Sequence, residues 1–204
     1  MKRFIYIIFI LLIFSSFSMC LNKNNSKVET VKGKILMVIA PEGFRDEELF
    51  EPMAVFENNG YKVDIVSTKK GLCTGMLGAK VEVNKTIDEV DPKDYKAIVI
   101  VGGVGSPKYL WHNEKLINLV KEFYRENKTV AAICLSPVVL AEAGILKDKE
   151  ATVFPAKEAL EEFKKYGVKY INKGVVRVGK IVTAKSPEYA RVFGYEVLKT
   201  LENS

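Results

Sequence analysis

Cys134 is the residue of this chain whose neighbours most clearly indicate chemistry. An apolar run, Thr129–Ile133, precedes it, and Pro137 follows three residues later. The run predicts a buried strand, and proline suits the first turn of a helix because its missing N–H costs nothing there. Cys134 is therefore predicted on a sharp strand-to-helix turn, where unpaired N–H groups and the helix dipole favour the nucleophilic thiolate. The alternative is a buried cysteine that only packs.

A glycine pair supplies a second candidate feature. Gly102 and Gly103 directly follow another apolar run, and glycine allows the backbone to approach a neighbour closely. Their N–H groups, together with that of Leu135, are candidates for binding a developing oxyanion; the alternative is a tight turn with no further role. The segment is not a dinucleotide-binding fingerprint, since Lys108 stands where the third glycine would be. We therefore expect no cofactor.

Charged and titratable residues supply the remaining candidates. Glu48 closes an acidic run that starts a predicted helix, where a favourable dipole interaction is the simplest interpretation. Arg45, just before that run, is a candidate for steering anionic substrates or stabilising the thiolate. Lys185 is a candidate for binding a carboxylate or phosphate, with an exposed lysine as the alternative. His112 is the only histidine and therefore the only candidate for a histidine general base.

The cysteines do not indicate a metal site. Cys20, Cys73 and Cys134 form no CxxC pair and no cluster with histidine, so we expect no bound metal. A disulfide between Cys73 and Cys134 stays possible, but two free thiols are favoured because nothing indicates a small disulfide-stapled scaffold.

The elements that must position these residues alternate between apolar runs and amphipathic stretches. That alternation predicts a flavodoxin-like α/β fold, a doubly wound and mostly parallel sheet with helices on both faces. Ligands of such sheets gather beyond the carboxyl ends of the strands. The predicted strands are Ile35–Ala40, Val63–Ser67, Ala97–Val101, Thr129–Ile133, Ala151–Phe154, Val175–Val178 and Ile181–Ala184, with a hairpin or arm at Lys69–Lys85. The predicted helices are Asp46–Asn59, Asn113–Glu126, Pro137–Ala143, Ala156–Tyr166 and Glu188–Leu201.

Several segments resemble one known family in order and spacing. AAICLSP resembles the AAICxGP elbow of the PfpI family, which includes archaeal intracellular proteases and Parkinsonism-associated deglycases within the class I glutamine-amidotransferase-like superfamily. KILMVIAPEGFRDEELFEP is similar to its first strand and acidic loop, and AIVIVGGVGSP to its Gly-Gly turn. ATVFPAKEAL and TAKSPEYA are similar to its later segments, so the resemblance covers nearly all of Lys34–Leu201.

The resemblance implies roles for individual residues. Glu48 falls where the family places a glutamate hydrogen-bonded to the cysteine, and Lys185 falls in a loop that lines the pocket and a dimer contact. Arg45 departs from the family, which commonly has an acid there. Family histidines are replaced by Leu135 and Phe154. A homodimer or larger homo-oligomer is also implied.

These residues lead to one favoured function and two alternatives. We expect a Cys–Glu enzyme that acts on reactive carbonyls, with glyoxalase or deglycase-like chemistry at Cys134 and Glu48. The first alternative is a PfpI-type cysteine peptidase with a peptide substrate, in which His112 would act as the base. The second is not an enzyme but a thiol redox sensor or stress chaperone.

Composition excludes a nucleic-acid partner for the body of the chain. The formal net charge is +6, but four basic residues and no acid precede residue 28. The remainder carries 27 basic and 25 acidic residues, too balanced for a nucleic-acid footprint. The lack of glutamine and the abundance of Lys, Glu and Ile resemble a thermophile composition.

The first 27 residues differ from the rest. Lys2 and Arg3 precede an unbroken apolar run, Phe4–Phe14, followed by small and polar residues. That layout predicts a signal peptide or N-terminal membrane anchor over residues 1–27, with a polar linker at its end. The PfpI-like domain is then predicted at residues 28–204.

This segment determines the predicted location. We expect an exported or membrane-anchored protein that contacts a membrane only through residues 1–20, with Cys20 as a candidate for lipidation. If translation starts at Met19 instead, the protein would be cytoplasmic.

Overall fold

The computed structural model describes residues 31–202. Its strands are β1 (Gly33–Val38), β2 (Glu42–Phe44), β3 (Tyr61–Val66), β4 (Gly71–Gly75), β5 (Lys80–Val83), β6 (Ala97–Ile100), β7 (Thr129–Ile133), β8 (Glu150–Ala151), β9 (Lys169–Tyr170), β10 (Val175–Val178) and β11 (Ile181–Ala184). Its α-helices are α1 (Asp46–Asn58), α2 (Ser106–Tyr109), α3 (Glu114–Arg125), α4 (Pro137–Glu142), α5 (Lys157–Lys165) and α6 (Ala190–Glu202).

A central sheet of six strands organises the described residues. Its order is β10-β11-β7-β6-β1-β3, and every neighbouring pair is parallel except β10 with β11. Every residue of β6 and β7 is buried, as expected for strands covered on both faces. This arrangement confirms the predicted flavodoxin-like, mostly parallel sheet.

Helices cover both faces of the sheet, which is the doubly wound arrangement. One apolar cluster joins the sheet to α3, α4 and α5 through side chains such as Phe123 and Phe163. The cluster on the opposite face joins it to α1 and α6 through Leu49, Phe56 and Phe193. The first turn of α1 and the start of α4 are thereby held at the carboxyl edge of the sheet.

Three local features differ from the sequence-based expectation. The predicted arm forms as the antiparallel pair β4–β5, but β2 joins it as an unpredicted third strand, parallel to β4. The strand expected at Ala151–Phe154 is reduced to β8, which pairs with β9 outside the central sheet. Backbone N–H groups beyond β8 have other partners, since Thr152 donates to Oγ1 of Thr183 and Phe154 donates to the carbonyl of Cys134. The short helix α2 was also unpredicted.

The predicted exported or membrane-anchored location requires correction. No helix within residues 31–202 is long and apolar enough to cross a membrane. The signal-peptide or anchor prediction for residues 1–27, the domain boundary at residue 28 and the proposed lipidation at Cys20 all lie outside the described residues.

Candidate active site

Cys134 lies on the predicted turn between β7, which ends at Ile133, and α4, which begins at Pro137. Its φ is +62°, a left-handed conformation that costs a residue with a Cβ about 1–3 kcal/mol. Hydrogen bonds on both sides hold it there. Its N–H donates to the carbonyl of Ala184 at 2.9 Å, and its carbonyl accepts from the N–H of Phe154 at 2.8 Å. The elbow is therefore fixed by β11 and by the loop after β8.

Glu48 reaches the cysteine from the first turn of α1, and its side chain is completely buried. The N–H of Gly102 donates to its Oε2 at 3.0 Å, and the Cys134 thiol shares a side-chain hydrogen bond with the carboxyl group. Oε1 has no nitrogen or oxygen partner within residues 31–202. Burial raises the pKa of Glu48 to about 8, so the carboxyl group keeps its proton at neutral pH.

Burial and the surrounding N–H groups act in opposite directions on the ionisation of Cys134. Burial raises the pKa of Cys134 to about 12, and the nearby Glu48 carboxyl raises it further when ionised. Hydrogen bonds from the backbone N–H groups of Gly103 and Leu135 lower this pKa, as the helix-start argument requires, but they do not outweigh burial. Burial therefore favours the neutral thiol, whose ionisation a neighbouring proton acceptor assists.

The structure leaves no space for a side chain at either glycine of the predicted oxyanion turn. A Cβ on Gly102 would collide with Cβ of Cys134 and with Oε2 of Glu48. Gly103 has a φ of +113°, and a Cβ there would collide with the backbone at the end of β2 and with the N–H of Arg45. Gly102 thus packs closely against both Cys134 and Glu48, and Gly103 and Leu135 present N–H groups to the sulfur.

Arg45 and Lys185 make local contacts instead of joining this pair. The guanidinium of Arg45 donates from Nε and Nη2 to both carboxylate oxygens of Glu47, at 2.7 and 3.0 Å. Nζ of Lys185 donates to Oδ1 of Asn172 at 3.1 Å. The structure places both residues at the expected carboxyl edge but shows no hydrogen bond from either side chain to Cys134.

His112 is held by a carboxylate on the far end of α4. Its backbone N–H donates to Glu142 at 3.0 Å, and its Nδ1 lies 2.5 Å from Oε1 of the same carboxyl group. The imidazole is 62% exposed. The polar contacts of His112 thus go to Glu142, and the structure shows no hydrogen bond between His112 and the thiol of Cys134.

Sequence reasoning missed three side chains that support the elbow. Oγ of Ser136 donates to the carbonyl of Val101 at 2.7 Å, so the hydroxyl of Ser106, 2.9 Å away, must donate to Ser136. Nε1 of Trp111 donates to the carbonyl of Leu135 at 2.9 Å. Each serine precedes a proline within six residues of the end of a buried strand, and this repeated Ser-Pro pattern is the signal that could have identified them.

The sequence also raised the questions of a disulfide and of a bound metal. Cys73 and Cys134 are both free thiols, so the possible disulfide between them does not form. Within residues 31–202, no group of three or more His, Cys, Asp or Glu side chains could hold a metal ion.

Comparison with known proteins places this geometry in a family. The sequence model described as the DJ-1/PfpI family matches residues 33–200. The chain belongs to the DJ-1/PfpI family. It is 64% identical over 205 residues to an uncharacterized protein of Methanocaldococcus jannaschii, covering all of this chain and 99% of that one. It is also 34% identical over 169 residues to the deglycase PfpI of Pyrococcus furiosus, covering 83% of this chain and 99% of the relative.

Solved structures support the same assignment. The crystal structure of a ThiJ/PfpI domain protein from Brachyspira murdochii has a TM-score of 0.80 and is 33% identical to this chain. The match covers 84% of this chain and 97% of that one. The DJ-1/PfpI fold therefore accounts for nearly all of the described residues.

Proposed function

We propose that this DJ-1/PfpI protein is an enzyme that acts on reactive carbonyls, with Cys134 as the nucleophile and Glu48 as the proton-transfer group. The observation that carries the proposal is the complete burial of the Glu48 carboxyl group, which raises its pKa, in hydrogen-bonding contact with the thiol. The deglycase name of the Pyrococcus furiosus relative supports the same class of substrate.

The pair can activate the thiol without a histidine. Sγ of Cys134 forms a bond to the aldehyde carbon of a substrate such as methylglyoxal, and the carbonyl π bond breaks. The thiol proton passes to one oxygen of Glu48 while the proton of the other oxygen passes to the carbonyl oxygen, so the site gains no net charge. The N–H groups of Gly103 and Leu135 stabilise the negative charge that develops on that oxygen.

The same groups complete the reaction. The resulting hemithioacetal isomerises through an enediol: one oxygen of Glu48 takes the C–H proton while the proton on its other oxygen passes to the ketone oxygen. Glu48 then gives the proton it holds to the former ketone carbon and accepts the proton of the remaining hydroxyl group, which becomes the carbonyl of a thioester. Water then hydrolyses the thioester, which releases lactate and restores the Cys134 thiol. No oxidant or reductant is consumed.

The test compares methylglyoxal consumption and lactate formation in wild type, Cys134→Ala and Glu48→Gln. We expect Cys134→Ala to abolish turnover and Glu48→Gln to lower it by about 100-fold or more, the usual contribution of a general acid–base. Cys73→Ala, the matched control at the other free thiol, retains turnover. Equal rates in all four proteins would refute the proposal.

The peptidase alternative has less support from the site. A Cys–His dyad needs the imidazole within hydrogen-bond reach of the thiol, whereas His112 bonds Glu142. We expect His112→Ala to leave carbonyl turnover unchanged. Peptide cleavage that disappears in this variant would favour the peptidase instead.

Two expectations remain predictions at this point. A redox-sensing role predicts selective oxidation of Cys134 over Cys73 by mild peroxide, which intact-mass measurement would detect. The homodimer or larger assembly implied by the resemblance predicts a solution mass of at least twice 22.9 kDa in light scattering.

A further inference from the structure

The amino ends of four adjacent strands carry a repeated feature that the proposed chemistry does not use. Lysine directly precedes β1, β6, β7 and β11, which are consecutive neighbours in the central sheet. Neighbouring strands lie about 4.8 Å apart, so the four positions span roughly 15 Å along one edge. The four residues are Lys32, Lys96, Lys128 and Lys180.

These four lysines line a single cavity of about 350 Å³, which lies within the range of about 300–1,000 Å³ typical of small-molecule sites. The other lining residues are Tyr61, Asn127, Thr129 and Leu201, so none of the acidic side chains within residues 31–202 lines it. Lys128 and Cys134 lie at opposite ends of β7, roughly 20 Å apart at about 3.3 Å per residue. The cavity is therefore distinct from the candidate active site.

The positive charges of the cavity are only partly compensated. Lys128 pairs with Glu126 at 2.7 Å and Lys32 lies over the ring of Tyr61 at 5.9 Å. For Lys96 and Lys180, no ion pair occurs in the part of the chain that the structure describes. Glu202, which follows Leu201, is the nearby acid that acts electrostatically on Tyr61.

The concentration of charge is unusual for this chain. From residue 28 onward it carries 27 basic and 25 acidic residues, a net charge of +2. The four positive charges of these lysines therefore exceed the net charge of that whole part of the chain. Converging like charges repel one another, and a bound anion removes that repulsion. Lysine ammonium groups bind phosphate as compact point charges with three donors each.

We propose that this cavity binds a small molecule carrying a chain of phosphate groups. A single phosphate would contact only part of a row spanning roughly 15 Å, whereas a chain of two or three phosphates would contact several lysines at once. The small, concave volume and the confined charge favour a small molecule over a nucleic acid. The inference does not depend on the carbonyl chemistry.

Isothermal titration calorimetry of the full chain with inorganic tripolyphosphate tests the proposal. We expect binding to wild type and an affinity at least tenfold weaker for the double variant Lys96→Gln/Lys180→Gln. Lys164→Gln, an exposed lysine on α5, is the matched control and keeps wild-type affinity. Lys96→Arg/Lys180→Arg keeps both positive charges and should bind tripolyphosphate. Glu202→Gln removes a nearby negative charge and should bind it more tightly than wild type does.

Two further titrations define the ligand and separate this cavity from the candidate active site. A nucleoside triphosphate that binds more tightly than tripolyphosphate indicates an organic phosphate as the ligand, and equal affinity indicates that the phosphate chain alone is recognised. Cys134→Ala should bind the probe as wild type does, which separates this site from the catalytic proposal. The proposal is overturned if wild type does not bind either compound, or if Lys164→Gln loses as much affinity as the double glutamine variant.

Discussion

Replacing Glu48 by glutamine should change how the stability of the protein depends on pH. The folded-state pKa of Glu48 is about 8, above its ordinary value of 4.5. The fold therefore favours the neutral carboxyl group. Its stabilising effect is fully present below pH 4.5 and is lost as the pH rises through about 8. Glutamine is a neutral residue of the same shape, so the variant lacks this pH dependence.

The magnitude follows from the size of the shift. At about 1.4 kcal/mol per pKa unit, the wild type should lose about 3–4 kcal/mol of unfolding free energy between pH 5 and pH 8 through this group alone. No discount for solvent screening applies, because the Glu48 side chain is 0% exposed. At pH 5 the unfolding free energy of Glu48→Gln should be lower than that of wild type or similar to it. Between pH 5 and pH 8 the difference should shift in favour of Glu48→Gln by about 3–4 kcal/mol, because only wild type loses this stability.

Guanidinium unfolding of both proteins, followed by circular dichroism at pH 5 and pH 8, measures this difference. Glu51→Gln, an exposed position on the same helix, is the control and should follow the wild-type pH dependence. If Glu48→Gln loses as much stability as wild type between the two pH values, the carboxyl group is not held neutral by the fold, and the proton relay loses its basis.

Three further results are expected. Gly102→Ala should destabilise the protein by about 2–3 kcal/mol or more in urea unfolding, because its Cβ has no space. Gly78→Ala, where the space is open and only the positive φ of +95° is unfavourable, should cost less, about 1–2 kcal/mol, and a larger cost at Gly78 than at Gly102 would contradict this explanation. Ser136→Ala should cost about 1–3 kcal/mol in the same assay by leaving its buried partners unpaired, and a neutral effect would show that the network is dispensable. At pH 9, Glu48→Gln should increase the rate at which iodoacetamide alkylates Cys134, since removing the carboxylate charge lowers the pKa of the thiol; an unchanged rate would place the two groups too far apart to interact.

Local sequence determined most of the architecture that carries the candidate site. The apolar runs, the proline after the elbow and the glycines after β6 predicted the sheet, the turn at Cys134 and the close approach at Gly102 and Gly103. These features depend on residues that are neighbours in the chain, since a run of buried strand residues or a proline at a helix start acts through local backbone geometry. The family assignment depended on the same segments in order.

Only the tertiary structure decided the ionisation and the partners of these residues. Glu48 and Gly102 are 54 positions apart, and the burial that raises the pKa of Glu48 comes from packing α1 against the sheet. The partner of His112 and the alignment of four lysines along one edge likewise depend on which elements meet. Desolvation and long-range contacts are properties of the assembled fold, so no pattern of neighbouring residues specifies them.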